Sequence, residues 1–408
     1  MKRWFCLVVV GVVVGLSQPA AADTQVVLAP SPTDRKEVPV GSRGVAVDDS
    51  GDLYATGSAR RGGGDEFMVV REFADGRRLV WERRWRMREL FDSGGENVAL
   101  GTDGMVYVAG WVEHTGMEGR GWFLRKYSPR GQLLWTRTTR EWRDLAAEAI
   151  SDLDVGNRMV VVSGYGFGCC ADPYRDGWIR AYDLEGHLLW TSPFEALGIR
   201  RAFYDQANGI AIGKLDGVYV AGWIQCARQR DPEGFVDRDV IVQKLSPAGR
   251  VLWTRVLGDR GRDRDEGIDV AAKGDVLVLT ATINERAVRW DYPHAWIARF
   301  TFDGDLSWSR EWGRENRRAA LPAALSVAPW GATYVVGQAY ERDRGPNLFV
   351  RKYAPRGRLL WASTIDRRDQ TVFAVDVSAL PKGACVAGYA FRNASWSETG
   401  AWIWRFAA

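Results

Sequence analysis

Apolar and polar residues alternate along most of the chain in short runs, each closed by a turn rich in Gly and Asp. A period of two puts successive side chains on opposite faces of a strand, so these runs predict β-structure. They recur in a fixed order of four. The first is an apolar run such as "GVAV" at Gly44, "NVAL" at Asn97 or "GIAI" at Gly209, followed by a turn such as "DDSGD" (Asp48–Asp52). The second closes on a small residue, as in "VYVAG" or "TYVVG". The third reads "FLRKY" (Phe123–Tyr127), "WIRAY" (Trp178–Tyr182) or "FVRKY" (Phe349–Tyr353). The fourth carries "G-x-L-L-W", as in "YSPRGQLLWTR" (Tyr127–Arg137).

The tryptophan of the fourth run falls at 81, 135, 190, 253, 308 and 361, recurring every 53 to 63 residues. Four antiparallel strands per repeat, arranged radially, predict an all-β, seven-bladed β-propeller of four-stranded antiparallel blades. First, second and third strands each occur seven times, but the fourth only six, because the sequence stops at "AWIWRFAA" directly after a third strand. An open ring would leave two unpaired sheet edges. "TQVVLAP" (Thr24–Pro30) is therefore expected to close the ring as the fourth strand of the last blade. The repeated Trp is expected to wedge between neighbouring sheets, and Lys126, Lys244 and Lys352 to form a solvated or blade-bridging row.

The recurring "GIAV-D-x-x-G-x-V-Y-V-x-G … F/W-V-x-K-Y/L-x-P-x-G-x-x-L-W-T" resembles the secreted bacterial seven-bladed β-propeller repeat (SBBP) family over residues 24–408. Blade 3 departs from the pattern in the longer turn of "DLDVGNRMVVVSG", and blade 5 in the "TA" that replaces the strand-ending Gly. The resemblance implies a propeller and an export route, with binding or structural roles and no agreed catalytic residues. A shared fold does not fix activity.

The opening "MKRWFCLVVVGVVVGLSQPAAAD" adds that export route independently. A basic start, an apolar run from Trp4 to Leu16 and an Ala20-Ala21-Ala22 cleavage site predict a signal peptide over 1–22, with the propeller over 23–408. The expected location is the periplasm or the cell exterior, with no transmembrane anchor after cleavage. Removing Lys2 and Arg3 leaves 53 basic against 51 acidic side chains, well mixed, from the original 55 and 51. Such a balance gives no footprint for nucleic acid. The mature chain is expected to act as a monomer. It keeps Cys169, Cys170, Cys226 and Cys385. Matching positions after the second strands of blades 3 and 4 predict a disulfide from Cys226 to Cys169 or Cys170, with Cys385 a buried free thiol.

Loop lengths separate the two faces of the ring. The third-to-fourth spacing is constant and the first-to-second nearly so, whereas the connections at the other end vary, Gly110 to Trp122 being shorter than Gly222 to Val240. Binding residues concentrate on variable loops held by a rigid scaffold, so a carbohydrate or protein ligand is expected on that second face. Trp111, Tyr165, Trp223 and Tyr389 stand just past the second strands there, and Glu96, Glu148 and Glu266 two residues before the leading Val or Ile of the first. The aromatics read either as inter-blade packing or as a ligand ring, the carboxylates either as solvated caps or as an acidic mouth.

Close to the axis, side chains must be small. The expected axial ring is Ala46, Ala99, Ser151, Ala211, Asp269, Ser326 and Asp376. Its two aspartates read either as residents of a hydrated channel or as metal ligands, calcium being the cation a carboxylate funnel would take; no other cofactor is implied. No catalytic residue is assigned. H-E-x-x-H, G-x-S-x-G and P-loop patterns are absent, and His114, His187 and His294 fall in different blades. The enzymatic alternatives are a quinoprotein-like dehydrogenase, suggested by the "G-x-L-L-W" phrase, and a carbohydrate-acting lyase or hydrolase using paired carboxylates.

Overall fold

Each alternating run forms a strand, and each group of four forms one blade. The computed structural model describes residues 24–27, 38–60, 66–75, 78–87, 91–114, 120–138, 148–167, 175–195, 202–226, 238–258, 264–274, 276–283, 293–313, 319–340, 346–365, 370–381, 383–392 and 399–407. The innermost strands are Val38–Val47, Phe91–Leu100, Glu148–Val155, Ala202–Ile212, Glu266–Lys273, Ala319–Val327 and Gln370–Leu380. Each is followed outward by the next three strands of its blade, all antiparallel. In the last blade the chain supplies three strands, and Thr24–Val27 adds the fourth, pairing Thr24 with Arg405 and Val27 with Trp402. This is the closure expected from the missing seventh phrase.

The core is seven wedges rather than one centre. Between blades 6 and 7 lie Tyr334, Val336, Leu348, Val372, Trp404 and Phe406. Between blades 7 and 1 lie Val45, Leu53, Phe73, Cys385 and Ile403. Cys385 is buried there as a free thiol, and burial pushes its pKa up to about 11.

The repeated phrase is an inter-blade clasp. The indole Nε1 of Trp81, Trp135, Trp190, Trp253 and Trp308 donates to a main-chain carbonyl in the third-to-fourth turn of the next blade, at Pro129, Leu184, Pro247, Phe302 and Pro355 respectively. Two residues further along that turn comes a glycine with φ between +71° and +85°: Gly131, Gly186, Gly249, Gly304 or Gly357. A Cβ there would stand 2.6–3.1 Å from the tryptophan ring, so both the left-handed backbone and the close approach demand glycine. In three of the four "W-x-R" copies, Arg83, Arg137 and Arg255 donate to the carbonyls of Gly131, Gly186 and Gly304. Lys126 and Lys244 reach the same carbonyls as Trp135 and Trp253, so that row bridges blades. At the junction of blades 6 and 7 the clasp is incomplete. Blade 7 takes its third and fourth strands from opposite ends of the sequence, so no turn joins them. Trp361 Nε1 is buried without an acceptor among the described residues, and burial alone lowers the Lys352 pKa.

Every innermost strand carries a one-residue bulge at the same register, at Arg43, Glu96, Ser151, Asn208, Ile268, Ala323 and Val375. A bulge leaves one residue unpaired and breaks strict alternation. The register corrects the expected axial ring. The residue after each bulge is Gly44, Asn97, Asp152, Gly209, Asp269, Ala324 or Asp376. Asp269 and Asp376 thus share a ring with Asp152, not with Ser151, which occupies the bulge itself. Ala46, Ala99, Ala211 and Ser326 lie two residues further along, level with Asp154.

Candidate functional site

The inner strands enclose an axial cavity of about 490 Å³, lined among others by Asn97, Ser151, Asp152, Asp154, Asp269 and Asp376. Its carboxylates bind backbone across the blade junctions. Asp152 Oδ2 accepts the N–H of Ile210, Asp269 Oδ2 that of Leu325, and Asp376 Oδ2 that of Val45, at 2.7–2.9 Å. In each case the other oxygen takes the N–H of the following residue in its own strand. Asp154 repeats the arrangement one ring further on, accepting from Ile212 and Val155. The remaining junctions use other groups. Asn97 donates to Asp152 Oδ1, Asn208 to the Gly267 carbonyl, Ser326 accepts from Ala379, and Arg43 pairs with Glu96. All seven inner junctions are therefore bridged by a side chain.

Desolvation pushes the four aspartates up, to about 7 at Asp269 and about 6 at Asp154 and Asp376; Asp152 is raised well above the ordinary carboxylate range. Asp269 and Asp376 each raise Asp152 further by like-charge repulsion, whereas the bonded backbone amides oppose the shift. The side chains are half-buried, opening onto the cavity. As for the expected calcium ligands, the described residues hold no group of three or more His, Cys, Asp or Glu arranged for a metal ion.

The expected mouth residues separate by register. Glu96 occupies a bulge and lines the cavity, whereas Glu148 and Glu266 lie at the start of their strands, opposite Gly166 and Thr282. Each meets an arginine. Arg180 forks onto both oxygens of Glu148 at 2.8 and 3.1 Å, and Trp122 Nε1 donates to the same carboxylate. Arg238 pairs closely with Glu266. Arg43 stands 3.5 Å from Glu96. Burial raises the Glu96 pKa, against the pull of Arg43, Arg120 and a hydrogen bond from Trp111.

The expected aromatics are covered. Arg120 lies 4.5 Å above the Trp111 ring, and the ring passes so close to Gly94 that a Cβ there would be 2.6 Å from it. Trp223 is buried beneath Arg238, at 3.9 Å. Tyr389 stacks on Phe373 and carries Arg43 at 5.9 Å. Tyr165 is half-buried and pairs with Ala149 and Gly177 on the flanking strands. Among the described residues, a guanidinium lies over each of Trp111, Trp223 and Tyr389, a layer absent from the sequence expectation. A weak signal existed: Arg43 is level with Glu96 once the blades are aligned on the residue that closes the second strand.

Cys169 and Cys170 lie outside the described residues, as do residues 1–23, and the Cys226 side chain is not described either; the expected disulfide and signal peptide fall there. Most of the connections on the variable face, including 115–119, 168–174 and 227–237, also lie outside them. No helix among the described residues is long and apolar enough to cross a membrane.

The fold defines a seven-bladed β-propeller. No protein-family model matches the chain, so the SBBP resemblance extends to the architecture alone, and no curated protein sequence matches it either. Among solved structures, a polysaccharide lyase of family PL25, an ulvan lyase, is 11% identical, covering 91% of this chain and 94% of its own, with a TM-score of 0.54. A second structure, of a PL25 ulvan lyase bound to -[GlcA(1-4)Rha3S]-, is 10% identical over 90% of this chain and 95% of its own, with a TM-score of 0.51. At such identity the likeness is one of fold.

Proposed function

We propose that this propeller is an exported binding protein for a polyhydroxylated ligand, a carbohydrate, received at the axial cavity from the variable-loop face. One observation carries the reading. Asn97 and Ser151 line the cavity, and their Oδ1 and Oγ atoms are buried with no hydrogen-bond partner among the described residues. A buried acceptor left unpaired costs on the order of 1–3 kcal/mol, and sugar hydroxyls are donors of the right size to relieve both. A cavity of about 490 Å³ lies within the range of small-ligand sites. Binding to a glycan array, with and without calcium, tests the reading. Ser151→Ala should weaken the signal while leaving the melting curve near that of the parent. Asn97→Ala should weaken it too, but at a lower melting temperature, because Asn97 Nδ2 also bridges blades 2 and 3. An array on which no glycan is retained sinks it.

A second reading, a carbohydrate-acting enzyme, is favoured by Glu96 alone. A carboxyl of raised pKa beside a cavity suits a general acid. Shortened products from a retained glycan, lost in Glu96→Gln, would establish it.

A further inference from the structure

The arginines at the mouth are not equivalent, and the difference sets two of them apart. Arg180 is clamped by two oxygens of Glu148, and Arg238 is tightly paired with Glu266; their side chains are 19% and 28% exposed. Arg43 and Arg120 are held loosely. Arg43 makes one contact to Glu96 at 3.5 Å, and Arg120 reaches Glu113 at 3.3 and 3.4 Å. Both side chains are 48% exposed. A guanidinium carries five donors in a rigid fork, so most of the donors on these two have no partner among the described residues.

The pair is nevertheless fixed in place. Arg43 lies over Tyr389, which is braced by Phe373, and Arg120 lies over Trp111, which is pressed against Gly94. Trp111 packs on Gly94, two residues before Glu96, and Arg43 reaches Glu96 from blade 1, so the two guanidiniums flank one stretch of the blade 2 rim. Both also lower the Glu96 pKa. Planar guanidiniums held on aromatic faces with free forks are built for bidentate recognition of an oxyanion.

Resting on the carbohydrate-binding reading, we infer that Arg43 and Arg120 form an anion subsite at the mouth, and that the ligand is an acidic saccharide whose carboxylate or sulfate group is held there. The charge distribution fixes its orientation. Deeper in the cavity stand Asp152, Asp154, Asp269 and Asp376, offset only by Lys273. An anionic group would be repelled from that depth, so it stops at the arginines while neutral hydroxyls meet Ser151 at the level of Arg43 and Asn97 one residue further in.

Calorimetric titration of the full chain with hexagalacturonate, a sulfated heparin hexasaccharide and neutral xylohexaose tests this. Tighter binding of one or both acidic probes, weakened on the order of tenfold in each of Arg43→Gln and Arg120→Gln, supports the subsite; binding of hexagalacturonate shows that a carboxylate suffices, and binding of the heparin probe alone assigns the site to sulfate. Arg158→Gln, on the opposite face, should leave affinity unchanged and controls for charge alone. If xylohexaose binds as tightly as the acidic probes and both arginine variants keep wild-type affinity, the anion subsite is overturned and the carbohydrate reading stands. If none of the three probes binds and the glycan array is blank, the carbohydrate reading falls and takes the subsite with it.

Discussion

The Asp376 carboxylate accepts the backbone N–H of Val45 at 2.7 Å across 331 residues of sequence. With its other oxygen it holds the N–H of Val377, so one side chain ties the last blade to the first at the axis. Asp376→Ala leaves the Val45 amide unpaired at a half-enclosed position. The expected loss is about 1–3 kcal/mol of unfolding free energy. Ser378→Ala, two residues along the same strand, should cost less than about 0.5 kcal/mol. Urea melts of the two variants giving equal midpoints would contradict the closing role of Asp376.

At its outer edge the last blade is completed by Thr24–Val27 pairing with the strand Thr399–Ala407. A chain shortened to begin at Ser31 would expose that strand's edge along its whole length. Loss of several kcal/mol is expected, together with concentration-dependent association through the open edge. Light scattering and thermal melting read both. A shortened chain that melts at the parental temperature and stays monomeric would mean the pairing contributes nothing.

The clasp differs in strength around the ring. Trp253 Nε1 donates to the Phe302 carbonyl, whereas Trp361 Nε1 has no acceptor among the described residues. Replacing either by Phe keeps most of the ring volume and removes the donor. Trp253→Phe should therefore cost about 1 kcal/mol more than Trp361→Phe, the net worth of one hydrogen bond. Chemical denaturation of the pair decides it, and equal costs would show that the Trp253 donor contributes nothing at its junction.

The architecture was legible because the repeat writes itself in the sequence. Trp81 to Trp361 keep one register, the turn glycines must be glycine to sit on those rings, and the absent seventh phrase points to Thr24–Pro30 as its replacement. The axial ring was not. Each first strand gains one residue at its bulge, and the inserted residues, from Arg43 to Ile268 to Val375, share no chemistry that would flag it. Aligning the strands on their leading Val or Ile therefore set Asp269 beside Ala46 and passed over Asp152. Aligning on the closing residue of the second strand, Gly57, Gly164 or Ala281, would have brought Asp152, Asp269 and Asp376 level. The guanidinium layer was hidden for a different reason. Arg43 covers Tyr389 from the neighbouring blade, a contact between residues far apart in sequence that no local pattern announces.

The axial aspartates also set the dependence of stability on pH. Desolvation raises Asp376 and Asp154 to about 6 and Asp269 to about 7, above their ordinary value of 3.8. A carboxyl with a higher pKa in the folded chain binds protons more tightly there than in the unfolded chain. Its contribution is then fully present below the unfolded value and is lost as pH rises through the folded one. Stability should accordingly fall between about pH 4 and pH 7 as these groups ionise, in the opposite sense to acid denaturation. Glu82, lowered by its bonds to Arg71 and Arg84, works the other way and loses its contribution only in more acidic solution. A stability maximum on the acid side of neutrality is the net expectation. Because Asp269 ionises at about pH 7, Asp269→Asn should flatten that part of the decline, while Asp52→Asn, in a turn at the tight end, should leave that part unchanged. Melting temperatures of the three proteins measured from pH 4.5 to 8 provide the comparison. A wild-type profile that rises steadily toward pH 8 would show that the backbone amides, and not desolvation, govern these carboxylates.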